Sequence, residues 1–357
     1  MGFYKLLTDH KYNNVGALQM MNKKIKPFVG SCLLAASLIF PAMQSAQAAE
    51  KLTLAHAFPS EHIFHLTSTT FMDELKKEGA DINVDYHPGG SLGDWASIFE
   101  QSMEGVVPMT MSFGSSEFDS RLDLTFMSYI VSDWDEAFKA YGPKGQMTEV
   151  YNDILGEMDL VVLGIVPTGF GSIVMRKGNQ SEPTNFPTDS KGIKIRVPAI
   201  QVGIERFKSF GFNPVAIPLS ELYTALQLGT VDASGIQTAS DVWLIRDVVE
   251  SYVLTKDYFE HAFWVVNKSW LEKLSEEDRQ KLFAASEATM IKIWDEAQAV
   301  DENFLEKVEQ SGIKIVKLSD EESAKAKQLA YANEWPFMAK SLGPKIMDVL
   351  RNIAGLN

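Results

Sequence analysis

Arg196 is the side chain with the most chemistry to offer, and it stands in the stretch Lys191-Gly192-Ile193-Lys194-Ile195-Arg196-Val197-Pro198. Ile193, Ile195 and Val197 alternate with Lys194 and Arg196, which predicts a short strand with its cations on the face opposite the apolar layer. A guanidinium cannot be neutralised by losing its proton, so Arg196 must meet water, an acidic side chain or an anionic ligand. A structural ion pair and an anion-binding fork both satisfy that requirement. His62 and His65, with Glu61 beside them, have a spacing that can chelate a metal on one helix face. A catalytic zinc would need a third ligand and a placed base, and the histidine-glutamate-x-x-histidine pattern is missing. The pair therefore reads as solvated helix face, and no metal or other cofactor is expected. His56 closes the first expected strand, placed either to donate a hydrogen bond to a ligand or to sit satisfied in a β-α turn.

A periplasmic hydrolase would need a nucleophile with its base, or a metal. The chain is read as lacking a glycine-x-serine-x-glycine elbow, a mature thiol, a metal cluster and a glycine-rich phosphate loop. The expectation is a binding module rather than an enzyme.

The elements that must hold Arg196 in place read as alternating strands and helices. Lys51–Ala57, Ile82–Tyr86 and Val107–Met111 read as strands, and Ile63–Lys77 as the first helix, with Asp94 capping the next. Similar units run from about Gly169 to Phe259, entered through the turn-rich Gly178–Asp189 region. This order predicts an α/β fold, largely parallel and doubly wound, with ligand sites beyond the carboxyl ends of the strands. From Ser275 to Gln310 the helical pattern runs far beyond the usual length, with Ser275 as N-cap and Glu276, Glu277 and Asp278 in the first turn. Trp294, Ala297 and Phe304 supply its apolar stripe. Ile313–Val316 then reads as a strand, and Asp320–Ala354 as mostly helix.

The N-terminus carries an export pattern: Lys23, Lys24 and Lys26, an apolar run from Phe28 to Phe40, and the small-x-small site Ala46-Gln47-Ala48. Cleavage near Ala48 is expected, with a periplasmic destination, and Met20 or Met21 would be a more ordinary start than Met1. The single cysteine, Cys32, falls inside that segment, so the mature chain has no disulfide and no thiolate chemistry. The formal net charge of the whole chain is −14, and residues 1–48 hold five lysines against one aspartate, so the mature protein is more acidic still. Nucleic acid, which needs a basic footprint, is not an expected partner.

The block from Lys191 to Asp232 resembles the solute-binding proteins of tripartite ATP-independent periplasmic (TRAP) transporters, of the dicarboxylate-binding type. Lys191, Gly192, Lys194, Arg196, Val197 and Pro198 match the family's strand. Glu221, Tyr223, Ala225, Leu226, Gln227, Gly229, Val231 and Asp232 match the helix and strand entry that follow. The resemblance implies a two-lobed periplasmic binding protein. Residues 49–168 and 260–298 would form one lobe, residues 169–259 and 299–357 the other, and residues 275–310 one helix crossing both. It implies that Arg196 holds the carboxylate of an organic acid in the interlobe cleft. The partners it implies are two membrane permease subunits, the receptor itself being a monomer. An ABC importer or a sensor is the alternative setting for the same binding role.

The block's surroundings depart from the family. Thr168-Gly169-Phe170-Gly171 has glycine where many members carry a second arginine, and Ala233-Ser234-Gly235-Ile236-Gln237 lacks their asparagine. Gln237 either supplies that amide or is solvated. Trp95, Phe113 and Phe170 fall where the family's cleft-facing side chains are expected, with Trp243 and Trp264 as further candidates for the same wall. Core packing is the alternative for each. Aromatic groups in place of polar and cationic ones would suit a monocarboxylate with an apolar or aromatic body better than a C4-dicarboxylate.

Overall fold

The computed structural model describes residues 49–114, 116–178, 183 and 185–356. The export segment and part of the turn-rich entry to the second set of units lie outside the described residues. β1 (Glu50–Ala55) leads to α1 (Ile63–Glu78), which begins at His62 and stops where Gly79 turns left-handed at φ 67. β2 (Ile82–His87), α2 (Trp95–Met103) and β3 (Met109–Ser112) complete a parallel block in which β1 pairs with both neighbours. Asp94 caps α2 as expected, accepting from the Ser97 N–H.

After α3 (Trp134–Tyr141) and α4 (Met147–Leu155) comes β4 (Leu160–Arg176). The second parallel block follows: β5 (Lys194–Val197), α5 (Gln201–Ser209), β6 (Asn213–Ala216), α6 (Leu222–Gln227) and β7 (Ala233–Gln237), with β5 pairing both β6 and β7. The chain continues through α7 (Ala239–Leu244), β8 (Val249–Asn267) and α8 (Lys268–Leu271). α9 (Glu276–Gln310), β9 (Lys314–Lys317) and α10 (Asp320–Ile353) end it.

These strands form one sheet of order β2-β1-β3-β8-β4-β7-β5-β6, with β9 on β8. Its outer blocks are parallel, one to each lobe, but the middle is not. β3 pairs β8, β8 pairs β4 and β4 pairs β7, all antiparallel. The expected parallel sheet is therefore a mixed one. β4 and β8, at 17 and 19 residues, run through both lobes and far exceed an ordinary strand. They are buried nearly throughout, so their sequences lack the alternation that marks a half-exposed strand.

α9 starts at Ser275, which accepts from the Asp278 N–H, and buries Trp294, Ala297 and Phe304. It packs on α1 at one end and on α7 at the other, with β4 beneath it. That is the crossing helix the family pattern implied. α10 is broken at Gly343, where φ is 70 beside Pro344. It lies against α5 and the segment before α3, where it closes a buried ion network. Arg206 on α5 donates from Nε to Glu334 at 2.9 Å, from Nη1 to Asp257 at 2.8 Å, and from Nη2 to the Phe126 carbonyl. Glu334 in turn accepts from the N–H of Ser128 at 2.6 Å and from its hydroxyl at 2.7 Å. All three charged side chains are buried.

Candidate functional site

Arg196 stands on β5, opposite Val215 of β6 and Ser234 of β7. Lys194, two residues earlier, is exposed, yet Arg196 is only 2% exposed. Its Nε donates to the Ile217 carbonyl at 2.8 Å. Its two terminal nitrogens make no hydrogen bond or ion pair with the described residues. The charged and titratable groups in its field are Asp241, at the head of α7, and Tyr258, on β8. Burial pulls the guanidinium down to about 10, still far above neutral pH. The fork is thus a desolvated cation without a contacting counter-ion, and an unpaired buried charge costs several kcal/mol.

β4 presents opposite faces at successive residues. A Cβ on Gly171 would lie 1.7 Å from the Tyr258 ring, so the ring occupies the space where a side chain would begin. The Tyr258 ring thus fills the space that a side chain at position 171 would take. On the other face Phe170 packs on Phe259 at 5.2 Å and Trp134 at 6.1 Å. Phe170 lines a cavity of about 400 Å³ with Trp134, Tyr252, Lys256 and Asp301, and Arg196 takes no part in it. Gly169, at φ +127, gives room to Asp301, whose carboxylate would lie 2.6 Å from a Cβ there. Burial raises Asp301 to about 7 despite the opposing charge of Lys256.

Tyr258, whose ring lies under the Arg206 guanidinium at 5.2 Å and in the field of Arg196, is bonded to an acid. Its hydroxyl donates to Glu260, and the Thr168 hydroxyl donates to the other oxygen of the same carboxyl at 2.9 Å. Burial first, then the neighbouring Asp241, pushes Glu260 up to about 8. Asp241 closes a capping box with Thr238 at the start of α7 and is also raised by burial, with Arg196 opposing. Sequence reasoning missed Tyr258, Glu260, Thr168 and Asp241. A glutamate inside an otherwise apolar run and the threonine-x-x-aspartate cap ahead of α7 were the available signals.

The first-lobe candidates are reached through aromatic contacts. Trp95 meets Phe113 at 6.2 Å, Phe113 meets Phe126 at 6.0 Å, and Phe126 meets Tyr258 at 6.2 Å. Gln237, 1% exposed, donates to the carbonyls of Gly235 and Ile236, and its Oε1 has no partner. It is a buried amide, not a solvated one. Trp243 lies under the Arg246 guanidinium at 4.3 Å and packs against the cluster holding Val300 and Leu305, away from these groups. Trp264 is fully buried against Phe71.

His56 and His62 are buried and His65 is half-buried. His56 accepts from the Phe58 N–H at Nδ1 and meets the Tyr86 hydroxyl at 2.7 Å through Nε2, so neither ring nitrogen remains for a ligand. Burial lowers it to about 4. His62 is the cap of α1, stacked on Phe58 at 4.3 Å, and His65 meets Tyr86 at 2.9 Å. The expected solvated pair is thus part of the lobe's packing. Among the described residues no group of three potential ligands is placed to hold a metal. The elbow reading also needs correction, because Gly89-Gly90-Ser91-Leu92-Gly93 does have that spacing. Ser91 is exposed in the turn between β2 and α2, and no histidine bonds its hydroxyl.

Two parallel α/β blocks joined by long shared strands, a helix across both and a buried arginine with a free fork define a two-lobed solute-binding protein. Residues 54–340 match the family described as bacterial extracellular solute-binding protein, family 7 (DctP), and the chain belongs to that family. It is 25% identical over 284 residues to the ectoine-binding periplasmic protein TeaA of Halomonas elongata, covering 76% of this chain and 81% of that one. It is 26% identical over 252 residues to the 2,3-diketo-L-gulonate-binding periplasmic protein YiaO of Escherichia coli K12, covering 68% and 74%. The crystal structure of the periplasmic ectoine-binding protein from the TeaABC TRAP transporter of Halomonas elongata superposes with a TM-score of 0.78 at 21% identity. That match covers 86% of this chain and 98% of the other. The family is one of TRAP solute receptors, and its named members are binding proteins rather than enzymes. Among the described residues no helix is long and apolar enough to cross a membrane.

Proposed function

We propose that this protein is a periplasmic receptor, exported by a signal peptide cleaved near Ala48, that captures an organic acid by its carboxylate on Arg196. The receptor, a monomer, hands the acid to the two membrane subunits of a TRAP transporter. The observation that carries the reading is the free fork of Arg196, a nearly fully buried cation without a contacting counter-ion. Two parallel donors match a carboxylate, and each charge-assisted bond contributes about 1.5–3 kcal/mol. Relatives are named for ectoine and for 2,3-diketo-L-gulonate, both carboxylates. Residues 49–168 with 260–298 form one jaw and residues 169–259 with 299–357 the other.

Trp95, Phe113 and Gln237 extend the site from Arg196. Phe170 and Trp243 lie on the α9 side and shape the strands from behind, and His56 holds its own lobe together. With glycine at position 171 and the Tyr258 ring in its side-chain space, a monocarboxylate with an apolar or aromatic body fits better than a C4-dicarboxylate. A thermal-shift screen of wild type and Arg196→Ala against mono- and dicarboxylates tests this. Wild type should gain stability with a monocarboxylate, and Arg196→Ala should lose at least about a hundredfold in affinity for it, the loss of two charge-assisted bonds. An unchanged affinity in Arg196→Ala would sink the assignment. Turnover of the bound compound would make the protein an enzyme instead.

A further inference from the structure

Arg196 does not stand among neutral groups. Glu260, 6% exposed, receives hydrogen bonds only from the Thr168 and Tyr258 hydroxyls, and among the described residues no lysine, arginine or histidine touches it. Tyr258 is bonded to Glu260 and lies within the field of Arg196. Asp241 acts on both Arg196 and Glu260. Arg196 therefore has no contacting anion, and Glu260 has no contacting cation. A ligand bearing only negative charge satisfies the first and worsens the second.

We propose that the ligand is a zwitterion, its carboxylate held by the terminal nitrogens of Arg196 and its cationic group, a protonated amine, quaternary ammonium or amidine, received by Glu260. This rests on the receptor reading above and narrows it to one class of acid. Gly171 is part of the selection. Its missing side chain admits the Tyr258 ring, which puts a hydroxyl directed at Glu260 where an arginine would favour a second anionic group.

Protonation supplies a signature. The groups acting on Glu260 are Tyr258 and Tyr252 of its own strand, Asp241 of α7 and Asp301 of α9, with Lys256 facing Asp301. Together with burial they hold Glu260 at about 8, so the empty site carries the proton at pH 7. A cation alongside favours the ionised form and expels that proton. Zwitterion affinity should therefore rise with pH up to about 8, the value of the empty site.

The experiment is calorimetry on the mature chain with two probe sets. Ectoine, glycine betaine and γ-aminobutyrate are the zwitterions; benzoate, D-glucuronate and pyroglutamate are the anions. At pH 7, in buffers of different ionisation enthalpy, a bound zwitterion should release close to one proton and a bound anion none. Glu260→Gln should weaken the best zwitterion about thirtyfold, the loss of one charge-assisted bond, and abolish its proton release, while the anions should not weaken. Arg196→Ala should weaken both sets. If Glu260→Gln does not fold, Thr168→Val, which removes one hydroxyl orienting the carboxyl, should weaken zwitterions alone by at least about threefold. An anion binding as tightly as the best zwitterion overturns the proposal and leaves the receptor reading standing. So does a zwitterion indifferent to the variant at Glu260 or, in its absence, at Thr168. If no carboxylate of either set binds wild type, the receptor reading falls and this inference falls with it.

Discussion

At the scale of single residues, the site is shaped as much by what two glycines leave out as by what Arg196 supplies. A methyl group on Gly171 would lie 1.7 Å from the Tyr258 ring, and one on Gly169 would lie 2.6 Å from the Asp301 carboxylate. Neither contact is tolerable, because protein interiors are close-packed and overpacking typically costs about 1–3 kcal/mol. Gly171→Ala should therefore displace Tyr258, lower the unfolding free energy by that amount in urea titration and weaken ligand binding. The partner variant decides the cause. Tyr258→Ala removes the ring that the new methyl group meets, so in the double variant the cost of Gly171→Ala should largely vanish. Additive losses in that cycle would show that the two residues do not compete for one space.

At the scale of elements, what could be read from the sequence was what repeats with a period. β1, α1, β2, α2 and the Arg196 strand were all legible, and so was α9 to its N-cap at Ser275, because half-buried strands and amphipathic helices alternate polar and apolar residues. β4 and β8 were not legible as strands spanning both lobes. Buried on both faces and broken by Gly164, Pro167, Gly169 and Gly171, β4 shows four register shifts against β8 and carries no periodic signal. Glu260 was hidden for the same reason, since it sits inside one of these strands. Arg206 was equally silent. It stands on α5, and its partners Asp257 and Glu334 lie 51 and 128 residues away in sequence. Those partners make a prediction at this scale. Arg206→Met leaves two buried carboxylates without their cation and should cost about 3–5 kcal/mol, the usual penalty for breaking a buried pair. Chemical denaturation checks it, and a loss below about 1 kcal/mol would mean that the network is dispensable. Combining Arg206→Met with Asp257→Leu and Glu334→Leu should recover most of the loss, since a well-packed apolar replacement is often neutral.

At the scale of the molecule, the middle of the sheet is irregular where β4 meets β8, and the receptor reading makes that strip the hinge between two jaws. The shifts at Pro167/Gly169 and Gly171/Ile173 in β4 fall beside Tyr258 and Glu260, and Lys256 in β8 adopts a positive φ of 44. Bulges weaken pairing locally and bend strands, while α9 crosses behind them as one continuous helix of 35 residues. A ligand that touches both jaws stabilises the closed arrangement only by its difference in affinity for closed over open. In the zwitterion proposal, Arg196 on β5 and Glu260 on β8 hold the two ends of one molecule across that irregular strip. Closure should thus require both ends to be engaged. Small-angle scattering should show the radius of gyration falling when wild type is saturated with its ligand. At a free ligand concentration about 100 times Kd, binding should add about 2.7 kcal/mol of stability. Arg196→Ala should show neither change at the same concentration. A ligand that stabilises wild type without any change in scattering would mean that the jaws are already closed when empty, and that the bulged strands are a fixed feature of the site rather than its hinge.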